Sequence, residues 1–81
     1  MGKNPTISIV NNLKQLRAER GITQEELAQA VGVTRVTINY IENDEYRPSL
    51  ELALLLAGFF GKRVEEIFRV GPSGGTYAKN R

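Results

Sequence analysis

The sequence of 81 residues contains no cysteine and no histidine. Without cysteine there is no disulfide framework, no thiolate metal site and no cysteine nucleophile. Without histidine the chain lacks the commonest metal ligand, the commonest general base and the usual pH switch. No apolar run approaches the roughly 20 residues that a membrane-spanning helix needs, and residues 1–5 lack the apolar stretch of a signal peptide. We therefore expect a soluble, cytoplasmic chain that holds no metal and no cofactor.

The length and composition of the chain are those of one small domain with a modest core. Its hydrophobic fraction is 41% and its charged fraction 25%, and its net charge of +2 is compatible with a polyanionic partner. Glycine and proline separate segments of helical periodicity at Gly21, Gly32, Pro48, Gly61 and Gly71. These segments predict an all-α protein with an arm at residues 1–8, about five short helices at 9–70 and a flexible tail at 71–81.

The first helix is predicted over residues 9–20, because Ile9, Leu13 and Leu16 form an apolar stripe at helical spacing. Residues 6–10 are rich in β-branched side chains, however, so this segment is also consistent with an extended arm.

The second and third helices have strong start signals. Thr23 and Glu26 have the spacing of a capping box, and Gly32 is a natural turn residue at the end of the second helix. Thr34 is the expected N-cap of the third helix. Two capped helices joined by a short turn through glycine are typical of a helix-turn-helix.

The third helix divides into two faces at about 100° per residue. One face is predicted to be core and the opposite face to be exposed, with Arg35 at the flank of the first turn. The core face holds Thr34, Ile38 and Ile41, and the exposed face holds Val36, Asn39, Tyr40 and Asn43.

A set of short motifs occurs along the chain in a fixed order. They are NLKQLR at 12–17, GITQEELA at 21–28, VGVT at 31–34, INYIEN at 38–43, PSL at 48–50 and VEEIF at 64–68. In this order they resemble the Cro and phage-repressor type of helix-turn-helix proteins, the XRE family. The resemblance covers residues 10–68.

The resemblance implies a compact, five-helix, lambda-repressor-like domain that binds double-stranded DNA as a homodimer, with the third helix in the major groove. The implied base-reading residues are Arg35, Val36, Thr37, Asn39 and Tyr40. The implied contacts to the DNA backbone are Gln24, Thr34, Arg17, Asn43 and Arg47.

The chemistry of these side chains agrees with that implication. Arginine pairs bidentately with guanine, asparagine pairs with adenine, and the methyl groups of valine and threonine pack on the methyl group of thymine. The alternative is that Arg35 and Asn39 are ordinary surface residues and that Gln24 merely starts a helix. Arg17 and Arg47 are equally compatible with a role at a helix dipole or in a surface ion pair.

Three positions depart from the family pattern. Asp44 and Glu45 stand where related proteins often have a glycine and a basic residue, and two acids near a phosphate path are electrostatically unfavourable. Arg63 stands where a serine or aspartate cap is expected before the fifth helix, which weakens the start of that helix.

The fourth helix is the other departure, because it is apolar on almost every side after its Ser49 cap. Its predicted inward stripe is Leu50, Ala53, Leu54 and Ala57, and the predicted core of the domain is Leu27, Ile38, Ile41, Leu50, Leu54 and Ile67. We predict that Leu55 and Phe59, beside the small Gly58, form a homodimer interface. Alternatively, the C-terminal segment or residues 6–10 fold over this face.

The leading hypothesis is a sequence-specific DNA-binding transcriptional regulator, a repressor by family habit. The alternative is a protein-interaction module, such as the antitoxin of a toxin–antitoxin pair. We do not expect an enzyme. The adjacent acidic pairs at 25–26 and 65–66 diverge on their helices, and the dipole at a helix N-terminus explains them better.

Overall fold

A computed structural model describes residues 8–71 of the chain. The predictions for the arm at 1–7 and for the tail from residue 72 onward lie outside the described residues. The five expected helices are confirmed, and a two-stranded sheet accompanies them. In chain order the elements are β1 (Ile9–Asn11), α1 (Leu13–Arg20), α2 (Gln24–Val31), α3 (Arg35–Glu42), α4 (Leu50–Phe60), α5 (Val64–Ile67) and β2 (Phe68–Val70). None of the described helices is both long enough and apolar enough to cross a membrane.

The prediction that the first helix starts at Ile9 is wrong, because Ile9 lies in β1 and α1 begins at Leu13. β1 pairs antiparallel with β2, and Ile9 faces Val70 in the register. The β-branched residues that blurred the helical pattern favour a strand. Beyond the ladder, the Gly71 N–H donates to the carbonyl of Ser8 at 2.7 Å. A Cβ on Gly71 would lie only 2.7 Å from Val10, so this close approach requires glycine.

Side-chain caps begin the three central helices, as expected. Thr23 and Glu26 form the complete capping box of α2, and Gly32 ends that helix at a φ of 80°. The hydroxyl groups of Thr34 and Ser49 accept from backbone N–H groups in the first turns of α3 and α4. The assignment of Thr34 to the core is wrong. Its backbone is extended ahead of the helix, so the side chain turns back over the first turn and is exposed.

Every helix contributes to one hydrophobic core. The fully buried large side chains are Leu13 of α1, Leu27 of α2, Ile38 and Ile41 of α3, Leu56 of α4 and Ile67 of α5. Because each short helix supplies one or two of these, no helix could bury its apolar stripe without the others.

The predicted inward stripe of α4 is half wrong. Ala53 and Ala57 are buried, but Leu50 is 73% exposed and Leu54 is 55% exposed. The buried leucines are Leu52 and Leu56 instead. A helix with apolar residues all round gives its sequence pattern no polar side to mark solvent, so the neighbouring elements decide which face is covered.

Candidate nucleic-acid interface

The turn between α2 and α3 sets the position of α3. Gly32 takes the left-handed conformation that glycine adopts at little cost, and the Val33 N–H donates to the carbonyl of Ala28. Thr34 then caps α3 through the N–H of Thr37 at 3.2 Å. These local hydrogen bonds therefore fix the direction in which α3 leaves the turn.

The face of α3 opposite its buried isoleucines is open to solvent. Val36 is 46% exposed and Tyr40 is 47% exposed. Arg35 and Asn43 are exposed, and Asn39 is partly buried. A single exposed apolar residue would need no explanation, but Val36 and Tyr40 are neighbours four residues apart on one face of α3.

Thr37 lies on the opposite flank of α3 from Arg35. Its hydroxyl is 3.1 Å from the hydroxyl of Thr34, and its side chain borders a cleft that Leu55 also lines. Among the five predicted base-reading residues, Thr37 is therefore turned furthest from the exposed face.

A hydrogen-bonded ion pair joins α1 to the end of α3. The Arg17 guanidinium donates to both Glu42 carboxylate oxygens, from Nε to Oε2 at 2.7 Å and from Nη2 to Oε1 at 3.2 Å. Its Nη1 donates to the carbonyl of Ile22 at 2.9 Å. The Glu42 side chain is only 2% exposed. The hydrogen bond to Glu42 raises the pKa of Arg17 above its ordinary value. This is the ion-pair role that the sequence left open for Arg17.

Three amide side chains extend this ion pair toward the exposed face of α3. Gln24, the first residue of α2, donates from Nε2 to Glu42 Oε1 at 3.0 Å and to Asn39 Oδ1 at 3.2 Å. Asn43 donates from Nδ2 to the same Asn39 oxygen at 3.3 Å. We call Arg17, Glu42, Gln24, Asn39 and Asn43 the polar network. It unites three of the predicted backbone contacts with one predicted base reader.

Glu42 belongs to this network although it was not among the predicted site residues. Its position on α3 could have indicated this role, because Glu42 follows the buried Ile38 by four residues and so lies beside the buried face. A carboxylate at the edge of a buried face needs a partner, and a buried charge is stable only when it is paired.

A family model described as helix-turn-helix matches residues 13–67, which span α1 to α5. The chain belongs to the helix-turn-helix family. The expected resemblance to Cro and phage repressors is confirmed. DNA-binding transcription regulation, the function expected from that resemblance, is confirmed for this family.

Two relatives and one solved structure illustrate the range of helix-turn-helix proteins that the chain resembles. An uncharacterized HTH-type transcriptional regulator of Methanocaldococcus jannaschii is 52% identical over 58 residues, which cover 72% of this chain and 88% of the relative. The immunity repressor of Bacillus phage phi105 is 34% identical over 61 residues, which cover 75% of this chain and 42% of the repressor. The crystal structure of the restriction-modification controller protein C.AhdI from Aeromonas hydrophila aligns with a TM-score of 0.62 and 31% identity, covering 67% of this chain and 78% of the controller.

The loop after α3 explains one departure from the helix-turn-helix pattern. Asp44 has a φ of 60°, a left-handed conformation that glycine adopts freely and aspartate tolerates. Its carboxylate accepts a hydrogen bond at 3.0 Å from Asn11 in β1. The same Asn11 amide donates to the carbonyl of Ile41 at 2.9 Å, so β1 holds the end of α3. Asn11 was not among the predicted functional residues, because its partners are about 30 positions away in sequence.

The remaining predicted site residues lie away from the exposed face of α3. Arg47 is exposed and borders two clefts beside β1 and Pro48. Leu55 is exposed on α4. Phe59 is partly buried, and the Arg20 guanidinium lies 5.1 Å from the centre of its ring. Within residues 8–71, no acidic cluster has the arrangement of a metal site.

Proposed function

We propose that the chain reads duplex DNA with the exposed face of α3 in the major groove. The residues proposed to contact bases are Arg35, Val36, Asn39 and Tyr40, with Thr37 at the margin. The observation that carries this proposal is the exposure of Val36 and Tyr40 beside Arg35, on a helix whose other face is fully buried. A guanidinium, an amide and apolar groups together suit the donors, acceptors and thymine methyl groups that line the major groove.

The proposed contacts to the DNA backbone follow from the helix ends. Gln24 and Thr34 stand at the N-termini of α2 and α3, where backbone N–H groups and the helix dipole favour phosphate oxygens. Both N–H donors of the Gln24 side chain are engaged by Glu42 and Asn39, so Gln24 is proposed to contact phosphate through its backbone N–H. Asn43 and Arg47 follow α3 at its far end. Arg17 has all three guanidinium nitrogens engaged within the protein. We therefore assign it an indirect role, in which it holds Glu42 and so supports Gln24.

We further propose that the protein acts as a homodimer, which a two-fold symmetric operator requires. Leu50 and Leu54 are four residues apart on α4 and are its most exposed leucines, with Gly58 one turn further along the same side. Leu55 lies beside them, whereas Phe59 is partly covered by Arg20. The second copy is therefore proposed to contact Leu54 at the centre of the interface and Leu55 at its edge.

Repression is the proposed direction of regulation, supported by the matches to phage repressor proteins. The proposed place of action is the cytoplasm. No observation on the described residues favours the alternative of an antitoxin or another protein-interaction module.

Selection of bound sequences from a random duplex library, near physiological salt, tests the DNA-reading proposal. We expect a two-fold symmetric motif with half-sites about one helical turn apart. Arg35→Ala should lose the preference for guanine at one position of each half-site, at a cost of about 1–3 kcal/mol. The matched control is Arg63→Ala, an exposed arginine at the N-cap of α5, which should leave the motif unchanged. Failure to enrich any motif with the wild-type protein contradicts the proposal.

Analytical ultracentrifugation of Leu54→Asp and Leu55→Asp tests the dimer. A charge at the centre of an apolar interface should yield a monomer for Leu54→Asp, because the buried carboxylate would have no partner. Leu55→Asp should weaken the dimer less. A wild-type protein that sediments as a monomer at micromolar concentration overturns the proposal, and a dimer that survives both substitutions places the interface elsewhere.

A further inference from the structure

The buried ion pair determines which end of each amide in the polar network, the NH2 group or the oxygen, faces its neighbour. Glu42 receives Arg17 on both oxygens, and an ionised carboxylate can only accept hydrogen bonds. The Gln24 amide atom 3.0 Å from Glu42 Oε1 must therefore be its NH2 group. Any other orientation would set two acceptor oxygens against each other.

The orientation of Gln24 in turn fixes the orientation of the Asn39 amide. The Gln24 NH2 group lies 3.2 Å from Asn39, so the atom of Asn39 that faces it must be the amide oxygen. The Asn43 NH2 group lies 3.3 Å from that oxygen on a second side. An amide oxygen has two lone pairs, and these two donors occupy both.

The NH2 group of Asn39 is left on the other side of its amide. Within residues 8–71, no protein atom accepts a hydrogen bond from Asn39 Nδ2. Asn39 shares its face of α3 with the exposed Val36. In this arrangement Asn39 offers its surroundings donors and no unoccupied acceptor.

We propose that Asn39 recognises guanine instead of the adenine that an unconstrained asparagine selects; this inference rests on the proposed function. Pairing with adenine needs the amide oxygen to accept from N6 and the NH2 group to donate to N7. Guanine presents two neighbouring acceptors, O6 and N7, in the major groove. A donor-only Asn39 matches guanine and leaves the adenine amino group without a partner.

Library selection with three variants tests the inference. Asn39→Ala identifies the motif position that depends on Asn39, and the wild-type protein should prefer a G·C pair there. An A·T pair at that position should weaken wild-type binding on the order of tenfold, the loss expected for one specific base contact. Gln24→Met removes one donor from the Asn39 oxygen, so the share of A·T at this position should rise. Gln29→Met is the matched control, because it places the same substitution on α2 at a residue that bonds Glu25 and lies outside the network.

A modified base distinguishes direct reading from mere support of the fold. 7-Deazaguanine at the identified position removes the N7 acceptor. It should weaken binding by the wild-type protein and leave binding by Asn39→Ala unchanged. If Asn39 only supported Gln24, both proteins would respond equally, and the inference would be overturned.

The remaining outcomes separate this inference from the function on which it rests. A wild-type preference for A·T at the Asn39-dependent position overturns the inference alone. So does a motif that Asn39→Ala leaves intact, or a Gln24→Met variant with the same base preference as the wild type. A library that yields no motif at all overturns the proposed DNA reading and the inference together.

Discussion

α3 and α4 are neighbouring helices in sequence, but they expose different kinds of side chain to solvent. α3 buries two isoleucines and exposes a mixed polar and apolar face. α4 has one charged residue, Glu51, among its 11 residues and exposes Leu50, Leu54 and Leu55 where a helix of a small globular protein usually carries polar side chains.

The difference shows that a helix needs polar residues on one side if its sequence pattern is to determine which face is buried. In α3 the wrong orientation would bury Arg35 and expose Ile38 and Ile41, so the pattern admits one solution. In α4, rotating the helix about its axis by one residue would bury a leucine that is now exposed in place of one that is now buried. Contacts with α2 and α5, which the pattern of α4 alone does not reveal, then decide which leucines are buried.

The largest expected effect tests whether polar contacts hold α3 as firmly as its core does. Glu42→Ala leaves Arg17, whose side chain is only 16% exposed, without its partner. Removing one member of a buried pair should lower the free energy of unfolding by about 3–5 kcal/mol. Chemical denaturation measures this loss.

The control for that prediction is the double variant Arg17→Met with Glu42→Leu. Replacing both charges with apolar side chains of similar volume is often nearly neutral for stability. A double variant as unstable as Glu42→Ala would show that the loss came from packing and not from an unpaired charge.

The next effect tests the orientation of α4 directly. Leu56→Ala removes a fully buried side chain and should lower the free energy of unfolding by about 2–5 kcal/mol. Leu54→Ala alters an exposed residue and should change the stability of the monomer by less than about 0.5 kcal/mol. Denaturation over a wide range of protein concentration separates the monomer from any dimer. A larger loss for Leu54→Ala than for Leu56→Ala would instead support the inward stripe that the sequence pattern favoured.

Features that depend on local hydrogen bonds could be predicted from the sequence. Thr23 with Glu26, Thr34 and Ser49 are all caps whose partners lie three residues away, so spacing alone reveals them. β1 left no comparable signal, because its three residues pair with β2 almost 60 positions later. Three residues are also too few to show the alternation of a strand against the helical pattern that follows.

The candidate site divides in the same way. The exposed face of α3 could be predicted, because helical geometry places Val36, Asn39 and Tyr40 together. The polar network could not, because its ion pair joins Arg17 to Glu42 across 25 positions. Nor could the sequence show that the Asn39 oxygen is occupied, since that depends on how α2 packs against α3.

A smaller effect sharpens the comparison, because α3 and α4 begin in the same way. Thr34→Ala and Ser49→Ala each remove a hydroxyl that accepts from the first turn. Each should lower the free energy of unfolding by about 1 kcal/mol, despite the difference in composition between the two helices. The conservative exchanges Thr34→Ser and Ser49→Thr should retain most of the stability in denaturation experiments. A much larger loss at Ser49 would mean that the cap also sets the orientation of α4.

The smallest effect concerns α5, which packs against α4 and begins without a side-chain cap of the Thr34 kind. The Glu66 carboxylate instead accepts from the Arg63 N–H at 2.8 Å, and this hydrogen bond lowers the pKa of Glu66 below its ordinary value. The folded state therefore binds a proton at Glu66 less readily than the unfolded chain does. The stabilisation is complete above the unfolded pKa, near 4.5, and is lost as the pH falls through the lower folded value.

Comparing the unfolding free energies of the wild type and Glu66→Gln at pH 7 and pH 3 isolates this contribution. The difference should shrink toward pH 3, whereas the loss caused by Thr34→Ala should not change with pH, because α3 has no acidic residue in its first turn.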